Sequence, residues 1–302
     1  MSGGSSIRKA LIPAAGLGTR MLPVTKAIPK EMLPLVNKPI LQYAVEEAAA
    51  SGLEEVILVT RPDKPLESYF TSGLEREKQL DDGDRRTGLH SLLDLSLRIR
   101  IRAVHQHTPS GLGDAIRCTR STVGDEPFAL ILPDAVMRSH EPVIGQLLQS
   151  YAVIPGSYVA TQTVEDADMS RFGMLDLKEI EDLGKRRLFR VLGLSEKPKP
   201  EQAPSRYGVF GRYLLEPVIF EQLESAARNG RAGDLQFAEA LSQQCTEGRF
   251  YALCFEGRHF DAGDKLGYIQ AVLEFALDDE EIGDALRDHL TGLTLPDYAN
   301  RN

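Results

Sequence analysis

The stretch from Lys9 to Lys38, KALIPAAGLGTRMLPVTKAIPKEMLPLVNK, limits the possible folds of this chain more than any other. Ala10-Leu11-Ile12 is a short apolar run of the kind that forms a buried strand. Small residues then crowd into a turn from Ala14 to Arg20, where Gly16 and Gly18 permit backbone conformations that a Cβ forbids. Successive N–H groups in such a turn can cradle a phosphate. Arg20, Lys26, Lys30 and Lys38 follow with no helical apolar period between them, and Pro23, Pro29 and Pro34 stiffen the segment. The pattern predicts an extended, phosphate-facing loop at the end of a strand. It does not fit a dinucleotide fingerprint, which needs a glycine where Met21 stands and a helix directly after. Nor is it a Walker A loop, because no Gly-Lys-Ser/Thr follows.

Charge sharpens the point. The chain of 302 residues carries 35 Lys and Arg against 44 Asp and Glu, a formal net charge of −9. That balance argues against nucleic acid as a partner, so a phosphate-rich ligand must be met by a local cluster of cations. The length suits one large α/β domain or two smaller ones. Cys118, Cys245 and Cys254 show no metal-ligand spacing, and their odd number suits a reducing compartment. No apolar run approaches the roughly twenty residues that span a bilayer, and the first six residues have no apolar signal region. The expectation is a cytoplasmic protein without a membrane partner.

Along the chain, the apolar positions from Ile40 to Ala48 recur at helical spacing and Glu55 to Thr60 reads as a second parallel strand. Residues 64–98 suggest two or three helices, broken near Asp81-Asp82-Gly83-Asp84, which reads as a solvated loop. Arg98 to Val104 alternates at period two, predicting a strand with a solvated polar face. Pro127 to Leu132 is a further buried strand, and Asp134 just beyond it either points into a ligand crevice or caps the helix expected near Glu141–Ser150. Strands are expected at Tyr158–Thr163, Gly173–Asp176, Leu188–Leu194 and Tyr207–Leu214. After them a helix opens near Ala232–Gln236 with Asp234 suited to cap it, Phe250–Phe255 forms a strand, and helices lie near Lys265–Ala276 and Glu280–Leu290.

GLGTR followed by TKAIPKEMLPLVNKP resembles the signature of the sugar-1-phosphate nucleotidyltransferases, the bacterial UTP–glucose-1-phosphate uridylyltransferases above all. The resemblance returns near Gln106, Asp134, Glu196 and Asp261, so it covers most of the chain. It implies an α/β fold with a Rossmann-like mixed sheet, a β-rich sugar-binding subdomain and a helical C-terminus. The whole chain 1–302 would then be one nucleotidyltransferase domain, with 7–155 binding nucleotide, 156–262 binding sugar and 263–302 forming terminal helices.

The same resemblance assigns roles. Arg20, Lys30 and Lys197 would be catalytic, the first two clamping a triphosphate and the third aligning the sugar phosphate. Ala15, Gly16, Gly18, Thr19 and Lys26 would bind nucleotide. Gln106 would pair with the pyrimidine edge, and Gly111 would let the backbone approach the base. An amide suits uracil because it offers one donor and one acceptor. Gly173, Glu196 and Val209 would bind sugar, and Asp134 and Asp261 would hold Mg²⁺. The implied reaction moves a uridylyl group from UTP to glucose 1-phosphate in a homo-oligomer, dimer or tetramer. Alternatives are a relative using dTTP or another sugar, and a non-catalytic regulatory paralogue. The chain departs from the family in three places. Asp114 stands where His is usual and is expected to matter less than Gln106 if it faces away from the base, Phe172 replaces a common Tyr, and Ala135 begins a shortened acidic segment.

Overall fold

The structure is a computed structural model that describes residues 7–71, 86–180, 186–230 and 233–293. The acidic run Asp81-Asp82-Gly83-Asp84 lies outside the described residues. Thirteen strands run in order: β1 (Lys9–Pro13), β2 (Pro34–Leu35), β3 (Lys38–Pro39), β4 (Glu55–Thr60), β5 (Arg100–His105), β6 (Phe128–Ile131), β7 (Ala135–Arg138), β8 (Ser157–Thr163), β9 (Gly173–Glu179), β10 (Leu188–Glu196), β11 (Tyr207–Leu215), β12 (Phe250–Cys254) and β13 (Arg258–Asp261), all among the described residues. Nine of them form one sheet in the order β5-β4-β1-β6-β11-β8-β12-β10-β9.

The first four strands of that sheet pair in parallel, as near-continuous apolar runs require when both faces are covered. From β11 onward antiparallel pairs dominate, with β12 on β8 as a parallel exception. Gly208 of β11 also pairs with Met174 of β9, so the far end of the sheet curls back on itself. This is the mixed sheet expected from the sequence.

Period-two alternation assigns the side chains to two cores. Ala10, Ile12, Val56 and Leu58 face helix Ile40–Ala50, which contributes Leu41, Ala44, Val45 and Ala48. Leu11, Ile57 and Val59 face the other way, toward helices Ile219–Arg228 and Asp234–Glu247 with Phe220, Leu223, Phe237 and Leu241. Helices on both faces leave the carboxyl ends of the parallel strands open as a crevice. β5 is the edge strand with exposed Arg100, and Arg102 Nε lies 2.9 Å from Glu55 Oε1, matching the predicted solvated edge. A third, smaller core explains how the cationic segment is held. Met21, Leu33 and Leu35 pack with Val136, Phe260 and Ala271, tying the loop to β7, β13 and helix Lys265–Leu277.

Some elements differ from expectation. Asp134 does not run directly into a helix, because β7 intervenes and pairs with β13, and the helix spans Val143–Val153. Gly233, not Asp234, occupies the N-cap position of helix Asp234–Glu247, with a positive φ of 63° that favours glycine.

One buried ion pair joins these layers. Arg212 on β11 is 2% exposed and meets Glu47 of helix Ile40–Ala50, with Nη2 2.8 Å from Oε2. Its Nη1 donates to the Leu132 carbonyl at 2.9 Å, and Glu47 Oε1 accepts from the Ile144 backbone N–H at 3.1 Å. Removing one partner of such a pair strands a charge in the interior. Glu47→Leu is expected to cost about 3–5 kcal/mol in urea unfolding, and most of that should return when Arg212→Met is added.

Candidate active site

The open end of the parallel strands holds a cleft of about 540 Å³. β1 delivers the glycine loop to its floor. Ala14 N donates to the Val59 carbonyl at 2.7 Å, which fixes the loop to the end of the neighbouring strand β4. Gly18 takes a φ of +64°, and its carbonyl accepts from Thr25 Oγ1 at 2.7 Å. The loop is braced from behind by Lys64, whose Nζ lies 2.7 Å from the Gly16 carbonyl.

Most of the residues proposed from sequence converge on this cleft. Ala15, Gly16, Gly18, Thr19, Arg20, Lys30, Gln106, Gly111, Asp134, Lys197, Val209 and Asp261 all line it. Gly173 and Glu196 stand just behind its wall. A Cβ built on Gly173 would lie 3.3 Å from Glu196 Oε2 and 3.7 Å from Val209 Cγ2, so the three form one corner. Lys26 is the exception: it is exposed at the end of the turn Val24–Lys26 and does not line the cleft.

Neighbours in a strand point to opposite faces, so Glu196 and Lys197 can share a side only if the strand breaks between them. It does. β10 ends at Glu196, and Lys197 adopts a φ of +46°, an unusual conformation for a residue with a side chain. The turn brings Lys197 Nζ within 3.0 Å of Glu196 Oε1.

The acidic centre is neutralised from within. Lys30 Nζ lies 2.6 Å from Asp134 Oδ2. Burial works to raise the Asp134 carboxyl, but the Lys30 charge and hydrogen bond outweigh it and hold it below the ordinary carboxylate value. Burial likewise works against the Lys30 ammonium, and Asp134 overcomes it. On the opposite wall Asp261 Oδ1 accepts from Gly263 N at 3.0 Å and its Oδ2 sits 3.0 Å from Arg171 Nη2. Arg171 also pairs with Asp264. The two proposed metal carboxylates meet at Gly263. A Cβ there would stand 3.0 Å from both Asp134 Oδ2 and Asp261 Oδ1, so the space between them exists because the residue is glycine. Magnesium takes one or two carboxylates and fills its remaining positions with phosphate oxygens and water, so this pair fits.

Three lining residues went unread in the sequence. Arg171 precedes Phe172-Gly173 and pairs locally with Asp168, but its ion pairs to Asp261 and Asp264 reach residues some ninety positions away, which no local pattern reports. Glu31 is 1% exposed, and neither carboxylate oxygen has a hydrogen-bond partner among the described residues. Its burial raises its pKa, with Lys30 opposing. His259 lines the cleft with its pKa pushed down to about 4 by burial and then by Arg212, so it is a neutral imidazole at physiological pH. Asp114, expected to matter less if it faced away from the base, is hydrogen-bonded to Gln106, with Oδ2 2.7 Å from Nε2.

Gly111 is a point of backbone-to-backbone contact. It has a φ of +98°, and a Cβ on it would fall 2.3 Å from Gly233 Cα. Gly111→Ala is therefore expected to lower unfolding free energy by about 1–3 kcal/mol, read by urea melts, from the left-handed backbone alone. The clash should add to that cost.

Comparison with known proteins places residues 9–278 within the family model for nucleotidyl transferase. A UTP–glucose-1-phosphate uridylyltransferase of Bacillus subtilis (strain 168) is 40% identical over 288 residues, 95% of this chain and 97% of the relative. A crystal structure of a UDP-glucose pyrophosphorylase complexed with UDP-glucose superposes with a TM-score of 0.80 at 36% identity, covering 90% of this chain and 100% of the other. A UTP-bound UGPase from Acinetobacter baumannii matches with a TM-score of 0.85 at 32% identity, covering 95% and 100%.

Proposed function

The chain belongs to the nucleotidyl transferase family, and from that premise we propose that it transfers a uridylyl group from UTP to glucose 1-phosphate, releasing pyrophosphate. The observation that carries the reading is the meeting of Arg20, Lys30 and Lys197 with Asp134 and Asp261 around one glycine loop. The names of the relatives supply the substrates.

The reaction is an in-line displacement in which a sugar-phosphate oxygen attacks the α-phosphorus. It needs no protein nucleophile. It needs two polyanions brought together and the developing charge neutralised. Arg20 and Lys30 take the triphosphate tail, Arg with a fork suited to phosphate oxygens and Lys as a point charge. Lys197 aligns the attacking phosphate, and Glu196 beside it accepts from sugar hydroxyls with the Gly173 backbone and the Val209 wall. Ala15, Gly16, Gly18 and Thr19 offer backbone and hydroxyl donors to the nucleotide, while Gln106 and Gly111 take the base. Asp134 and Asp261 would hold Mg²⁺, which when bound neutralises phosphate oxygens and stabilises the leaving pyrophosphate. For that, Lys30 and Arg171 must release the carboxylate oxygens they now occupy, and a triphosphate offers both cations a new partner.

The division into a nucleotide part (7–155), a sugar part (156–262) and terminal helices (263–302) belongs to the same proposal. So does self-association into a dimer or tetramer, supported by Leu266 and Ile269, 66% and 59% exposed on helix Lys265–Leu277. Among the described residues no helix is long and apolar enough to cross a membrane, and a cytoplasmic setting is part of the reading.

Pyrophosphate release across a grid of nucleoside triphosphates and sugar 1-phosphates tests the assignment. UTP with glucose 1-phosphate should stand out, and equal use of ATP would overturn it. Asp134→Asn is expected to remove most activity and weaken Mn²⁺ binding measured by calorimetry, with the melting temperature retained. Near-parental turnover with unchanged metal demand would show that the carboxylate holds no metal. Lys197→Ala should lower kcat, whereas Glu196→Ala should chiefly raise KM for the sugar phosphate and relax sugar choice.

A further inference from the structure

Gln106 is 4% exposed and follows β5 directly, its backbone N–H bonded to the Thr60 carbonyl at 2.8 Å. Its Nε2 has two protein acceptors, Asp114 Oδ2 at 2.7 Å and the Gly111 carbonyl at 3.3 Å. Asp114 is itself held, with Oδ1 2.7 Å from Arg117 Nη2. An ionised carboxylate and a peptide carbonyl can only accept, so the amide end that faces them must be the NH₂ group. Both amide hydrogens are thereby committed inside the protein. Among the described residues no donor is paired with Oε1, the end that remains for the cleft.

We propose that Asp114 is a specificity-determining positioning residue: by locking the Gln106 amide, it presents a fixed acceptor to the base and selects a base with an N–H at that edge. The inference rests on the uridylyl reading of the same cleft. Uracil carries a hydrogen on N3 and can donate to Oε1. Cytosine has a lone pair there, so acceptor would face acceptor. An unrestrained amide could turn over and serve either base, whereas the locked one cannot. Thymine keeps the N3 hydrogen, so the lock rejects cytosine and is indifferent to the 5-methyl group.

The test is the ratio of kcat/KM for UTP over CTP, with glucose 1-phosphate, in the unmodified protein and in Asp114→Asn and Asp114→Ala. One unmet polar contact corresponds to roughly tenfold to a hundredfold. The ratio should fall by about tenfold in both variants, largely through better use of CTP, because Asn or a void lets the amide turn. Gln106→Glu should use UTP poorly, since two carboxylates would face each other. Adding Asp114→Asn to it should restore both UTP use and the ratio, because the Asn NH₂ then faces the new carboxylate. A merely structural role for Asp114 would not produce that rescue. An unchanged ratio in either folded single variant, or no recovery in Q106E/D114N, overturns the lock. If the unmodified protein fails to use UTP with glucose 1-phosphate, the functional reading fails on its own. Dissociation constants for UTP and CTP on the same variants, by calorimetry, then decide the lock separately.

Discussion

The Arg212–Glu47 pair is the contact on which the geometry of the cleft depends. A charge buried in a protein core is tolerated only when its hydrogen-bonding capacity is met, and this guanidinium meets a carboxylate and two backbone carbonyls. Together the two side chains join four parts of the chain: β11, helix Ile40–Ala50, the Leu132 carbonyl, which Arg212 reaches, and the start of helix Val143–Val153, where the Ile144 N–H donates to Glu47. Leu132 lies two residues before Asp134. The carboxylate at the centre of the site is thus set by an electrostatic requirement on the far side of its own loop, and the requirement is stringent because the interior offers no water as a substitute.

A second constraint is the local inversion of charge in an acidic protein. The net charge of −9 would repel a nucleoside triphosphate at long range. The cleft counters this with cations on separate elements: Arg20 and Lys30 from the glycine loop segment, Lys64 behind it, Lys197 from a strand end and Arg171 from the turn before β9. Four of them already rest against acceptors, Lys30 on Asp134, Arg171 on Asp261, Lys197 on Glu196 and Lys64 on a carbonyl. Each has been stripped of part of its hydration before a ligand arrives, which strengthens its attraction for phosphate. The placement of Arg20 and Lys30 depends on the small third core, because Met21, Leu33 and Leu35 act as apolar anchors beside these charges.

What could be read in advance follows from the range of each signal. β4 was legible because five of its six residues are buried on both faces and so read as one apolar run. The glycine loop and its cations were legible because a phosphate-facing turn writes its requirements into a contiguous segment. β7 was not, since Ala135–Arg138 is a strand only through pairing with β13, more than a hundred residues later. Helix Ile219–Arg228 carries Ile219, Phe220, Leu223 and Ala226 at helical spacing, a signal present in the sequence itself. Arg171 and the Asp114–Gln106 bond could not be seen, because each acquires meaning only from a partner brought close by folding, and Glu31 acquires its own only from the burial that folding imposes. Lys26 shows the converse hazard. It sits among cations that line the cleft, yet a single turn of helix leaves it in solvent.

The meeting of Gly111 with Gly233 bears on stiffness. Ser110 accepts a hydrogen bond from Gly233 N at 3.2 Å, and the two glycines touch with no side chain between them. Gly233 begins the helix whose Phe237, Ala240 and Leu241 are at most 4% exposed in the second core. The loop beside Gln106 therefore has no slack of its own, because yielding outward means levering a packed helix off the sheet. Discrimination by size at this edge of the cleft is borrowed from the rigidity of the hydrophobic core, and its tolerance is that of an interior where displaced atoms have nowhere to go.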